Sequence, residues 1–393
     1  MNSSARGARG ERPAHKIHNT RESILVIRRD NIGDLVLTTP LIRVLRTARP
    51  SAWIAALVNT YNAPVLDGNP DLDAVYAYDK AKHQPDRHRF AVFADTAKLL
   101  FRLRRQQIDQ VILAGPGAQR QAYALARWIK PRGITGFVTA DFAPAGITVP
   151  VAYGDGAQLH EAQDGLRLFA LCGAPASDPP CRVYADAAGV AVWRARIAQA
   201  MAGKIENSVA DSVANSVANS AADSTAASTA GSAPLIAIHI SARRVKQRWP
   251  ATHFASTMQR LQQRHGARFL LLWSPGAVDE ARHPGDDARA REVIAALPPA
   301  FPVAACPTHA LSDLIAVLSL VDAVICADGG AMHLAAGLGK PLVALFGDSP
   351  VARWRPWGVV HEIVQAPEGD VAEIKVSDVV SAYERLAPKV LAG

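Results

Sequence analysis

The chain has 393 residues, of which 49% are apolar and 20% charged, and 43 Lys and Arg against 35 Asp and Glu leave a formal net charge of +8. The length suits two domains of roughly 150–200 residues with tails. The basic balance suits an anionic partner, and four classes fit: nucleic acid, nucleotide, phosphorylated sugar or anionic lipid. Aromatic residues are only 6% and no basic run is interleaved with them, which disfavours a nucleic-acid platform.

Residues 1–21, "MNSSARGARGERPAHKIHNTR", are polar and basic without an apolar stretch, so a disordered tail is expected rather than a secretory signal. The four cysteines, Cys172, Cys181, Cys306 and Cys326, lack metal-ligand or redox spacing. No window offers about 18 uninterrupted apolar residues. A cytoplasmic protein without a metal or cofactor is the expectation.

From Ser23 the pattern alternates. "SILVIRR" predicts a strand, a glycine turn follows, and the apolar spacing of Leu41, Val44 and Leu45 predicts a helix. "AWIAALV", "AVYAYD", "QVILAG" and "GITGFV" read as further strands, separated by helical stretches such as "TAKLLFRLRRQQ" and "AYALARWIK". "HEAQDGLRLFALCGAP" reads as a helix closing the first half. From Asn207 a Ser/Ala/Asn/Asp repeat has too few large apolar groups for a core and reads as a linker or surface insertion. Strands are expected again at "PLIAIHI", "ARFLLLWSPG", "AVICADGG" and "PLVALFG", with helices between them and a last helix at "KVSDVVSAYERLA".

The organisation expected is therefore a basic tail at 1–21, an N-terminal α/β domain at 22–190 and a linker with the low-complexity insertion at 191–233. A C-terminal α/β domain follows at 234–370, then a helix and tail at 371–393. Each half is a Rossmann-like α/β layer, and a cleft between strand ends is the natural ligand site.

Three stretches could carry chemistry. "RRDNIGDLVLTTP" ends a strand in Gly33 and Asp34, followed one turn on by Thr38 and Thr39. Asp34 is either a first-turn helix carboxylate or a general base aimed into the cleft. "HISARRVKQRWPATHF" follows a strand end at Ser241 with Arg243, Arg244, Lys246 and Arg248, before Trp249-Pro250 and a helix. That is either a solvated basic loop or a diphosphate site. "DGGAMHL" breaks a strand at Asp328-Gly329-Gly330 and continues through Ala331, Met332 and His333. Its glycines allow close approach of an anion to a helix start, although neither the dinucleotide nor the P-loop spacing is present.

Together the three stretches resemble glycosyltransferase family 9, the ADP-heptose:lipopolysaccharide heptosyltransferases. "NIGDLVLTTPLIRVLR", "RWPATHF" and "DGGAMHLAAGLGKPLVALFG" carry the resemblance, which covers most of residues 22–385. It implies a GT-B fold and an inverting, metal-independent transfer from a nucleotide diphosphate sugar, ADP-heptose, to a lipid-linked glycan such as the lipopolysaccharide core. Asp34 would be the base, with Gly33, Thr38 and Thr39 on the acceptor side. Ser241, the four basic residues and Asp328 to His333 would hold the donor phosphates, and Glu280, with Asp279 beside it, would bind the ribose. Such an acceptor would bring the protein into peripheral contact with the inner face of the inner membrane. Two positions depart from the family pattern: Gln247 stands where a phosphate-binding lysine is usual, and Gly329 where Ser or Thr is usual. The rival readings are a transferase or epimerase for another nucleotide sugar and a non-catalytic nucleotide-sugar-binding protein. The first-strand turn lacks the glycine pattern of a dehydrogenase.

Overall fold

The structure, a computed structural model, describes residues 21–79, 89–154, 159–173, 177–202, 233–278 and 285–391. The tail at 1–20 and most of the low-complexity segment lie outside the described residues, as do Asp279 and Glu280.

The first half contains strands β1 (Ser23–Ile27), β2 (Trp53–Asn59), β3 (Ala74–Tyr78), β4 (Gln110–Leu113), β5 (Gly133–Val138) and β6 (Val149–Ala152). They form a six-stranded parallel sheet in the order β3-β2-β1-β4-β5-β6. Every residue of β1 is buried, as expected for the central strand of a sheet covered on both faces. Its helices are α1 (Ile32–Val36), α2 (Thr39–Ala48), α3 (Arg89–Arg105), α4 (Arg120–Ile129) and α5 (Glu161–Arg167). The helix expected after β1 is broken in two at Leu37-Thr38, because Pro40 cannot donate the backbone bond that a continuous helix needs.

The second half repeats the plan. Strands β7 (Leu235–His239), β8 (Arg268–Trp273), β9 (Val303–Pro307), β10 (Ala323–Ala327), β11 (Leu342–Phe346) and β12 (His361–Gln365) form a second six-stranded parallel sheet, ordered β12-β11-β10-β7-β8-β9. Helices α6 (Ala187–Met201), α7 (Ala251–His265), α8 (Asp287–Ala295), α9 (Leu311–Ser319), α10 (Gly330–Gly337), α11 (Val351–Trp354) and α12 (Val376–Leu391) surround it. The expected division at 190/191 falls inside α6, which packs on α9 and β9 of the second sheet. No helix among the described residues is long and apolar enough to cross a membrane.

Two Rossmann-like layers thus face each other in the GT-B arrangement. One apolar cluster runs across both halves, from Ile24 and Val36 to Met332 and Phe346. Among the contacts between them is α1 against α10, the helices that follow the central strands β1 and β10. The two halves therefore meet at the strand ends where the sequence motifs lie.

Candidate functional site

The site begins with Arg28, the residue after β1. It is 3% exposed, and such a buried guanidinium needs several partners. Its Nε lies 3.0 Å from Asp30 Oδ2, and its Nη2 lies 3.1 Å from Asp34 Oδ1 and 2.9 Å from Glu161 Oε1. Nη1 donates to the carbonyl of Ala114. Glu161, also 3% exposed, is held from its other side by Arg353 of α11, which donates to Asp164 Oδ2 at 2.8 Å as well. Burial pushes the Glu161 carboxyl pKa up, while both arginines pull it down. A chain of alternating charges thus runs from Asp34 through Arg28 and Glu161 to Arg353 and joins the two halves.

Asp34 does two things at once. Its Oδ2 accepts from the Asn31 backbone N–H at 2.9 Å and from Asn31 Nδ2 at 3.1 Å, which caps α1. Its Oδ1 takes the ion pair with Arg28, and the side chain remains 12% exposed. Thr38 and Thr39 are both buried. Thr38 Oγ1 donates to Asp34 O at 2.8 Å, and Thr39 Oγ1 donates to Val36 O and accepts the Arg182 N–H. Both hydroxyls tie down the α1–α2 break and the approach to the second half.

Gly33 is explained by the other half of the molecule. A Cβ there would lie 2.4 Å from Cδ2 of His333, so the imidazole rests on the bare α-carbon. His333 is 3% exposed, and its Nδ1 has no hydrogen-bond partner among the described residues. Burial pushes its pKa down to about 4, so the ring is neutral at physiological pH. Met332 is fully buried and Ala331 nearly so; both side chains belong to the core, and what this turn offers the cleft is backbone.

The opposite rim is the loop after β7. Ser241 Oγ accepts the Ser274 N–H at 2.9 Å. Arg243, Arg244 and Lys246 are exposed, and Arg244 reaches to 4.0 Å from Asp348. Arg248 donates from Nε to Ala242 O at 2.9 Å and curls the loop on itself. Trp249 anchors it: the ring is fully buried against Phe254, and its Nε1 donates to Ile374 O at 2.9 Å. Truncating such a side chain to Ala costs about 3–5 kcal/mol. Arg243 comes near Tyr61 of the first half; burial raises the Tyr61 pKa and Arg243 opposes it.

Asp328 and Gly329 close the rim. Gly329 has φ 153°, a left-handed-side value that disfavours a Ser or Thr side chain. Asp328 Oδ2 accepts from Gln247 Nε2 at 3.2 Å, so the unexpected glutamine is turned inward, 9% exposed, onto this carboxylate. Burial raises the Asp328 pKa, against a Ser349 hydrogen bond and nearby Arg244. Beside the loop, a groove of about 960 Å³ runs between α7 and α8, lined by Arg248, Thr252, Asp286 and Arg289 among others. Its size is that of a small-ligand pocket.

A sequence profile of glycosyltransferase family 9 (heptosyltransferase) matches residues 181–384, a span that holds the basic loop, Asp328 and His333. The chain belongs to glycosyltransferase family 9. It is therefore a glycosyltransferase of the heptosyl-transferring family. No curated protein matches the sequence. Solved structures are similar in fold: a family 9 glycosyltransferase from Veillonella parvula has 20% identity and TM-score 0.73, over 95% of this chain and 98% of that one. The E. coli ADP-heptose LPS heptosyltransferase II has 17% identity and TM-score 0.67, over 93% and 99%. The E. coli heptosyltransferase WaaC solved with ADP gives 17% and 0.67, over 92% and 99%.

The motifs of this family 9 chain thus meet where the two halves touch: His333 rests on Gly33 beside Asp34, and Arg243 comes near Tyr61. The reading of its sequence missed the charge chain beneath them: Arg28, Glu161, Asp164 and Arg353. A signal was present in "RRDNIGD", where an arginine directly extends a wholly apolar strand. The glutamate and arginine had no comparable mark.

Proposed function

We propose that this family 9 enzyme transfers a heptose from ADP-heptose to a lipopolysaccharide core or related lipid-linked glycan, with inversion and without a metal ion. The observation that carries the reading is that the turn bearing Asp34 touches the glycine-broken strand end of the other half, His333 on Gly33, with the basic loop near enough for Arg243 to act on Tyr61. Asp34 is the general base. An acceptor hydroxyl attacks the anomeric carbon; its C–O bond forms as the bond from that carbon to the diphosphate breaks, and the proton passes to Asp34. Transfer late in the step suits a carboxylate. Arg28, paired with Oδ1 of Asp34, orients the base.

The negative charge that grows on the leaving diphosphate is met by Arg243, Arg244, Lys246 and Arg248, together with the backbone N–H groups where α10 starts. The groove between α7 and α8 takes the nucleoside. The donor is inferred from the family and from solved relatives named for ADP-heptose and for complexes with ADP and an ADP-heptose analogue. A lipid-linked acceptor fits an enzyme working from the cytoplasm at the inner face of the inner membrane.

Calorimetry with ADP, ADP-heptose and UDP- or GDP-sugars, each with and without chelator, tests the donor. Preference for the adenine nucleotides, indifferent to chelator, is expected; a uridine or guanosine preference sinks the donor assignment, and a chelator effect the metal-free mechanism. Asp34→Asn then tests the base: transfer should fall by about 10²–10⁴ with donor affinity kept. Unchanged transfer removes Asp34 from the mechanism, and donor binding with no transfer by the unaltered enzyme would favour a non-catalytic nucleotide-sugar-binding protein.

A further inference from the structure

The outer face of the first half carries a feature that the transfer reaction does not use. Phe90, Phe93 and Phe101 of α3 are 78%, 65% and 61% exposed, and Trp128 of the adjacent α4 is 61% exposed. At 100° per residue the three phenylalanines share about 80° of the helix circumference. Val92 and Leu103 lie on the opposite side and are buried, Leu103 in the core with residues of β1 and β4, while Leu100, buried beside Phe93, marks the edge of the exposed face. The helix is thus apolar on two sides, and only one of them is packed. Single exposed apolar residues are ordinary, but three exposed phenylalanines on one side of α3, with an exposed tryptophan on the helix packed beside it, are not.

The charge along the segment that builds this face is one-sided, although Arg120 pairs with Asp141 beyond it. From Arg89 to Arg132 there are nine Lys and Arg (Arg89, Lys98, Arg102, Arg104, Arg105, Arg120, Arg127, Lys130 and Arg132) against two carboxylates, Asp95 and Asp109. The net +7 of these residues nearly equals the +8 of the whole chain. Arg104, Arg105, Arg127 and Lys130 are exposed, and the Arg105 guanidinium sits 5.9 Å from the Phe101 ring centre.

We propose that the α3–α4 face docks on an anionic phospholipid surface, with Phe90, Phe93, Phe101 and Trp128 entering the headgroup layer and the surrounding cations pairing with lipid phosphates. Aromatic side chains flanked by Lys and Arg are the chemistry such an interface selects. A second copy of the chain is the poorer fit, because two faces of this charge repel when apposed. The face lies on the side of the first sheet opposite α1 and α2, so docking leaves the cleft uncovered. Its edge still reaches the site: Gln121 on α4 accepts a hydrogen bond from Arg29, next to Arg28 at the end of β1. The inference does not depend on the donor or the base proposed above.

Co-sedimentation of the full chain with phosphatidylglycerol-containing vesicles and with pure phosphatidylcholine vesicles, at low and high salt, tests it. Binding at least about tenfold tighter to the anionic vesicles and weakened by salt is expected. The triple variant Phe90→Ser, Phe93→Ser, Phe101→Ser and the pair Arg104→Glu, Arg105→Glu should each lose about tenfold, with an unchanged melting temperature. If the triple variant does not fold, Phe93→Ser alone and the arginine pair decide. Absence of anionic preference, or variants that bind as the unaltered chain does, overturns the proposal. So does light scattering that shows a dimer in the unaltered chain and a monomer in the serine variant, which would assign the face to a second copy.

Discussion

The imidazole of His333 rests on the α-carbon of Gly33, so the residue before the proposed base and the histidine of the last motif form one contact between the two halves. The contact explains why the turn ahead of Asp34 has no side chain to spare. It also makes the position of Asp34 depend on a residue 299 positions away.

Gly33→Ala should therefore destabilise the enzyme by about 1–3 kcal/mol, because the new methyl group meets a buried ring in a packed interface. Denaturant unfolding checks this. In the double variant with His333→Ala the added loss should be smaller than the sum of the two single losses. Strict additivity would show that the ring does not press on Gly33.

Stability should fall as the pH drops from about 6.5 towards 4. Burial pushes the His160 and His333 pKa values down to about 4, whereas in the unfolded chain both titrate near the ordinary histidine value. Between those limits the unfolded state binds more protons, so stability rises with pH through the window and is fully present above it. His160 gives the physical reason. Its Nδ1 accepts the Ala162 N–H at 3.1 Å and its Nε2 is 2.8 Å from Arg355 O, so a second ring proton would oppose the Ala162 donor. Each histidine contributes on the order of 3 kcal/mol across the window. Urea midpoints between pH 4.5 and 7.5 measure it, and His160→Gln should flatten the slope.

Arg353→Met should cost about 3–5 kcal/mol, since it leaves Glu161 buried with Arg28 as its remaining charged partner. Because Arg28 also holds Asp34, the turnover rate should fall as well, with donor affinity little changed. A variant as stable as the unaltered chain would show that the charge chain does not couple the two halves.

Gln247→Lys should tighten binding of a nucleoside diphosphate several-fold. The glutamine now gives Asp328 a neutral hydrogen bond of 3.2 Å. A charged donor in its place, about twice as strong, would also add a cation to the rim. Calorimetry with ADP at two salt concentrations reads this directly. Weaker binding would mean that Gln247 contacts the nucleotide itself.

Much of the fold was legible because the central strands of a doubly covered parallel sheet are apolar throughout. β1, β10 and β11 are buried at every position and stand out as runs of Ile, Val and Leu. The outer strands β6, β9 and β12 were not read, since their residues alternate or are half exposed and carry no such run. Likewise α6 escaped notice because among its residues only Trp193 and Ile197 are buried, too few to mark a helical period.

The amino-acid sequence by itself determined the two α/β halves, the motif loops after β1, β7 and β10, and the family. Those properties depend on local periodicity, glycine and proline positions, and residue types close together in the chain. The tertiary structure alone decided that Asp34 shares its charge with Arg28, that Glu161 and Arg353 continue the chain, that Gln247 turns inward to Asp328 and that Gly33 yields its space to His333. Their partners are far apart in sequence, and a buried charge or a missing methyl group takes its meaning from whatever the folded chain brings against it.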